Sequence, residues 1–72
     1  MDGKTVRATR KQLHLSLERF ARLLDVSFVS LSRWEHLGDK ELSRFGNFVM
    51  NEFLATKYHD LLAQQKKGEK GK

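Results

Sequence analysis

Arg33 stands among three serines, Ser27, Ser30 and Ser32, in one short stretch of this chain. A guanidinium presents a planar fork of donors that matches the O6 and N7 acceptors of guanine, and a hydroxyl can bond a phosphate or a base edge. Contacts to phosphate fix register without reading sequence. The serines could act as nucleophiles only beside an activating base, and no nearby His–Asp arrangement is visible. His14, His36 and His59 do not fall at metal-ligand spacing on one helical face, and there is no cysteine to supply a thiolate. His59-Asp60 reads as an ordinary surface pair. No enzyme activity, metal site or cofactor is therefore expected.

Such side chains meet a nucleic acid only if a rigid element presents them together. Apolar positions recur at three and four rather than two, so helices are expected and strands are not. Helix one is predicted from about Thr5 to about His14, with Val6 and Leu13 on one face. Ser16 is a good N-cap, and Glu18 sits in the first turn, where the helix dipole favours a carboxylate. Helix two then runs to Leu24, burying Phe20, Ala21 and Leu24. Asp25 and Val26 make a very short turn, since Asp is among the few non-glycine residues that tolerate a left-handed backbone. Ser27 opens helix three, which extends to about His36 with Leu31 and Trp34 inward. That phase leaves Phe28, Val29, Ser32 and Arg33 on the outward arc. Gly38 ends the unit. From about Lys40 the pattern is helical again, with Leu42, Phe45, Val49 and Phe53 in one stripe and Leu54, Tyr58, Leu61 and Leu62 beyond it. Gly46 and Asn47 are poor interior residues, so a break into two helices is expected there.

These elements describe an all-α domain of four or five helices over residues 5–65. Residues 1–4 and 66–72 are polar, charged or glycine-containing and are expected to be disordered. The net charge of +5 points to a polyanionic partner, but its distribution tempers that. Residues 1–11 and the last seven residues each carry a net +3, whereas residues 12–65 carry −1. No apolar run approaches the roughly 20 residues of a membrane span, and the N-terminus lacks the apolar stretch of a secretion signal. A cytoplasmic location is expected.

Two short helices joined by a turn of a few residues are the geometry that lays a second helix into the DNA major groove. The stretch Leu13–Glu35, LHLSLERFARLLDVSFVSLSRWE, resembles the lambda-repressor-like (Cro/Xre-type) helix-turn-helix family. Leu13-His14-Leu15-Ser16, Phe20-Ala21, Val26-Ser27 and Trp34-Glu35 carry the resemblance, which covers about Val6 to Lys40. It implies a compact helix-turn-helix fold and a regulator of double-stranded DNA, in a family common in bacteria and their phages. It also implies that Phe28, Val29 and Arg33 meet bases, that Ser27 and Ser30 lie near phosphate, and that Lys40 meets the backbone beyond the helix. Ser32 joins the base-contacting set from the outward arc, and Lys11 joins the phosphate-contacting set. Arg10 and Glu35 occupy the places where the family pairs an arginine of helix one with the glutamate that ends helix three.

Several positions depart from the family pattern. Leu17 stands where a glutamine usually bonds a phosphate, Asp25 replaces the turn glycine, and the downstream proline is missing. Two residues rather than one separate Glu35 from Gly38. Leu17 and Phe28 fall where the family places polar groups that meet at the DNA face. Either Phe28 or Val29 is thereby offered to thymine methyls, or the apolar surface is a patch for a protein partner.

The competing reading is a protein-interaction module, such as a small antitoxin or regulatory adaptor, using the apolar C-terminal helix. The segment from Leu42 to Leu62 carries more aromatic side chains than one face can turn inward. A two-fold homodimer through that helix would bury the surplus and set two recognition helices about one DNA turn apart, roughly 34 Å. RNA is the weaker partner, since there is no aromatic-studded sheet or glycine-loop clamp. The expected function is occupancy of operator DNA by a small repressor.

Overall fold

Side chains near the start of each of four helices close those helices in the same way. Asp2 Oδ1 accepts the Thr5 N–H at 2.9 Å, Ser16 Oγ that of Arg19 at 3.2 Å, Ser27 Oγ that of Ser30 at 3.0 Å, and Ser43 Oγ that of Gly46 at 3.2 Å. Each satisfies one of the backbone donors that a helix start leaves without a partner. In the computed structural model these caps open α1 (Gly3–Gln12), α2 (Leu17–Leu24), α3 (Phe28–His36) and α4 (Arg44–Thr56), and α5 (Tyr58–Lys70) follows. Residues 1–70 are described, with side chains as far as residue 65. Of the tail at 66–72 that the sequence predicts to be disordered, residues 66–70 continue α5, and residues 71 and 72 lie outside the described residues. Apart from one isolated bridge between Asp2 and Glu41, the described residues form no β-structure. Among the described residues the fold is all-α with five helices.

Helices α1 to α4 surround one core. Val6, Phe20, Leu31 and Met50 are its largest fully buried side chains, one from each helix. Leu13, Ala21, Leu24, Trp34, Leu42 and Phe53 complete it. Phe20 and Phe53 meet edge to face, with ring centroids 5.2 Å apart and planes at 79°, a preferred aromatic geometry. None of the helices among the described residues is long and apolar enough to cross a membrane.

The N-terminus corrects one expectation. Residues 1–4 are not a disordered lead-in: α1 starts at Gly3, and the segment before it lies against the loop that follows α3. The Leu42 N–H donates to the Met1 carbonyl at 2.9 Å, and the Lys4 N–H to the Gly38 carbonyl at 2.9 Å. The Met1 ammonium donates to Glu41 at 2.8 Å and to Asn47 Oδ1 at 3.0 Å. Gly3 is buried so tightly that a Cβ there would collide with the Trp34 carbonyl and stand 2.8 Å from the Gly38 nitrogen. Backbone atoms cannot step aside, which is why only glycine fits. The Asp2 cap also accepts the Thr5 hydroxyl, and these bonds from Thr5 hold its carboxyl below the usual carboxylate range.

The C-terminal half corrects two more. The chain does not break at Gly46-Asn47: α4 runs through both, and the interruption falls at Lys57. Gly46 is where α4 passes closest to its neighbours, since a Cβ there would lie 2.9 Å from Leu42 Cδ2 and 3.2 Å from Trp34 Cε2. Asn47 holds the Met1 ammonium and donates to the Leu42 carbonyl at 3.4 Å. Lys57 turns away to donate to the Leu23 carbonyl at 3.1 Å, and Tyr58 packs its ring 6.4 Å from that of Phe53. The core stripe of α4 is therefore Gly46, Met50 and Phe53. Phe45, placed in the stripe by the sequence pattern, is 60% exposed.

Candidate nucleic-acid interface

The turn between α2 and α3 is short because Asp25 adopts the left-handed conformation, at φ 59° and ψ 42°. From there the Val26 N–H reaches back to the Ala21 carbonyl at 3.0 Å, ending α2 and turning the chain at once. Ser27 then caps α3. The helix lies with Leu31 and Trp34 buried, so its opposite side is presented to solvent.

An ion pair fixes the far end of α3. Arg10 Nε donates to Glu35 Oε2 at 2.7 Å and Nη2 donates to Oε1 at 3.1 Å, a bidentate fork. The third donor, Nη1, goes to the Leu15 carbonyl at 2.9 Å, just before α2 begins. One guanidinium thus ties α1, the α1–α2 loop and α3 together. Its bonds to Glu35 raise its pKa above the already high arginine value, so it stays charged. The pair is largely covered, with side-chain exposures of 15% and 8%.

On the outward side, Phe28 is 48% and Val29 57% exposed. Arg33 is exposed on the same helix, and Ser32 is half-buried beside it. The Ser27 hydroxyl accepts the Ser30 N–H and donates its own proton to Ser30 Oγ at 3.0 Å. That leaves the Ser30 proton free to bond an external oxygen. Ser27 is therefore mostly occupied within the protein, whereas Ser30 can act outward.

Two depressions flank α3. Ser30, Arg33, Trp34, Leu37, Glu41, Leu42 and Ser43 line one, and Arg7, Arg10, Leu17, Glu35 and His36 line the other. The first brings Arg33 and Ser30 together. Lys11, exposed at the last turn of α1, and Lys40, exposed just after α3, line neither. Lys4 is drawn toward Asp39 in an exposed pair at 2.6 Å. Sequence reasoning missed Arg7 and His36 as members of this surface. Arg7 lies three residues before Arg10 and so shares its helical face, a spacing that could have found it. The position of His36 depends on its ring nitrogen Nδ1, which lies 2.8 Å from the Ser32 carbonyl. Among the described residues, no group of His, Cys, Asp or Glu is arranged to hold a metal ion.

A separate apolar face lies on α4. Phe45 and Phe48 are 60% and 65% exposed, and Phe45 leans on Trp34 with ring centroids 6.2 Å apart. Phe48 and the half-buried Val49 border a groove against Leu23 and Leu24 of α2. The surplus aromatic side chains expected in the C-terminal half thus stand on α4, whereas Tyr58, Leu61 and Leu62 of α5 pack partly against the core.

A family model described as helix-turn-helix matches residues 6–43, just over half of the chain, from α1 through the loop after α3. No curated protein and no solved structure matches it.

Proposed function

The chain belongs to the lambda-repressor-like (Cro/Xre-type) helix-turn-helix family of DNA-binding regulators, and from that premise we propose that it represses transcription by occupying a specific operator with α3 in the major groove. The observation that carries this reading is the outward arc of α3. Phe28, Val29, Ser32 and Arg33 stand on one side of a helix whose other side is locked by Leu31, Trp34 and the Arg10–Glu35 fork. In the reading those four meet bases, with Arg33 bidentate to guanine. Ser30 donates to phosphate, Ser27 lies beside it as the cap, and Lys11 and Lys40 add phosphate contacts from either end of the unit. Arg7 and His36 extend the phosphate set on the other flank.

Fluorescence anisotropy of labelled duplex DNA at several salt concentrations tests this. Binding should weaken steeply with salt as counterions are released. Arg33→Ala should lose about 5- to 150-fold in affinity for an enriched site, the equivalent of roughly 1–3 kcal/mol. Lys40→Ala should weaken all duplexes alike and flatten the salt slope. Loss of binding only on truncation after Gln65, with Arg33→Ala silent, would assign the affinity to the lysine tail instead.

The exposed α4 face favours a second copy of the chain as its partner. Phe45 and Phe48 would pack across a two-fold axis, placing two recognition helices about 34 Å apart. Because Phe48 is mostly exposed, Phe48→Glu should leave the fold intact. It should also shift the protein to monomer in sedimentation velocity and weaken operator binding. A protein monomeric before substitution would leave this face to a different protein, as a small antitoxin or regulatory adaptor would use it.

A further inference from the structure

The base-facing turn of α3 is short of hydrogen-bonding groups. Its first two residues are Phe28 and Val29, both about half exposed, and the residue that opens α2 is Leu17. Ser27, the polar residue just before them, has its hydroxyl committed to Ser30. With Ser30 turned toward phosphate in that reading, the side chains of Phe28 and Val29 can offer a base edge only apolar contact.

In the major groove each base pair displays donors and acceptors, and thymine alone adds a methyl group, at C5. Covering the edge of guanine, adenine or cytosine with Phe28 or Val29 would strip water from polar atoms and return no hydrogen bond. Covering the thymine methyl buries apolar surface on both sides. The preference therefore has an attractive and a repulsive part, which is what discrimination between partners requires.

We propose that Phe28 and Val29 select thymine through its 5-methyl group, and that Arg33 reads guanine on the next turn of the helix. This rests on the reading above, that α3 enters the major groove. Arg33 lies four residues beyond Val29, about 6 Å along the helix at 1.5 Å per residue. That distance is close to two base-pair steps of about 3.4 Å. The recognised element is thus thymine with a guanine about two base pairs away.

Replacing thymine by uracil tests the proposal, since it removes the methyl and leaves pairing and groove acceptors unchanged. Duplexes enriched from a random pool by the wild-type protein would be resynthesised with uracil at each thymine in turn, and affinities measured by anisotropy. The expected loss is about fourfold for each contacted thymine, the worth of one buried carbon. A Phe28→Ala/Val29→Ala protein, altered only at exposed positions, should bind thymine and uracil duplexes equally. Equal binding of both duplexes by wild type, with dependence on Arg33 retained, would overturn thymine selection and leave the helix-turn-helix reading standing. Uracil sensitivity that persists in the double variant would also overturn it, because other side chains would then hold the methyl. If no duplex is enriched and Arg33→Ala changes nothing, the DNA reading fails and thymine selection fails with it.

Discussion

Phe20→Ala should lower the unfolding free energy by about 3–5 kcal/mol, the usual cost of emptying an aromatic site in a packed core. Phe20 is completely buried, and its ring meets Phe53 edge to face. It joins α2 to α4 through that ring, so its loss removes transfer energy and a specific ring contact between the two helices. A chain this size has roughly 4–11 kcal/mol of total stability at 0.05–0.15 kcal/mol per residue. The substitution therefore leaves the domain marginal or unfolded at room temperature. Urea denaturation followed by circular dichroism measures it, with a lower midpoint and an unchanged slope as the expected pattern. A loss below about 1 kcal/mol would mean that α2 and α4 do not share this core, and the described packing would be wrong.

Breaking the Arg10–Glu35 fork from one side should be comparably severe, at about 3–5 kcal/mol for Arg10→Met or Glu35→Leu, because the surviving charge is left covered and unpaired. Removing both should be far milder, since two apolar side chains of similar volume need no partner. The double-mutant cycle in urea thus separates a coupled pair from two solvated charges. Additive single effects of a few tenths of a kcal/mol, typical of exposed pairs, would refute the bidentate geometry. The consequence for function is direct. The same guanidinium holds the Leu15 carbonyl, so either single variant also loosens the start of α2 relative to the end of α3. The double variant should recover more of its stability than of its DNA affinity, because its apolar contact lacks the fork's fixed orientation.

The two halves of the chain differed in how far the sequence could be read. In the first half, Ser16 and Ser27 as caps, Asp25 in a left-handed turn, and Leu31 with Trp34 facing inward were all legible and are found in the structure. Each rests on an interaction spanning a few residues, or on a period that one helix imposes. The outward arc of α3 follows from the same period, so the candidate site was largely visible too. Arg7 shares the face of Arg10 by spacing alone, but that this face and His36 line one depression beside Leu17 is set by how α1, α2 and α3 pack.

In the second half the same reasoning went astray. Leu42 and Phe53 of the expected stripe are buried and Val49 packs partly against the core, yet Phe45 is exposed and the inward positions of α4 are Gly46, Met50 and Phe53. Spacing alone cannot choose between two apolar faces of a helix that has both. The choice was made by Leu42 and Trp34, which need the room that Gly46 provides. Helix propensity likewise put the break at Gly46-Asn47, but a close approach outweighs the roughly 1 kcal/mol that glycine costs in a helix.

By itself, then, the sequence determined the helical class, the caps of α2 and α3, the turn between them and the side of α3 that faces outward, since all of these are local. Only the tertiary structure decided that residues 1–4 are ordered, where α4 ends, and which aromatic side chains stay exposed. Those outcomes depend on Met1 meeting Asn47, Leu23 meeting Lys57, and Trp34 meeting Gly46. Partners so distant along the chain leave no periodic trace in either segment, and they come together only once the core has brought their helices into contact.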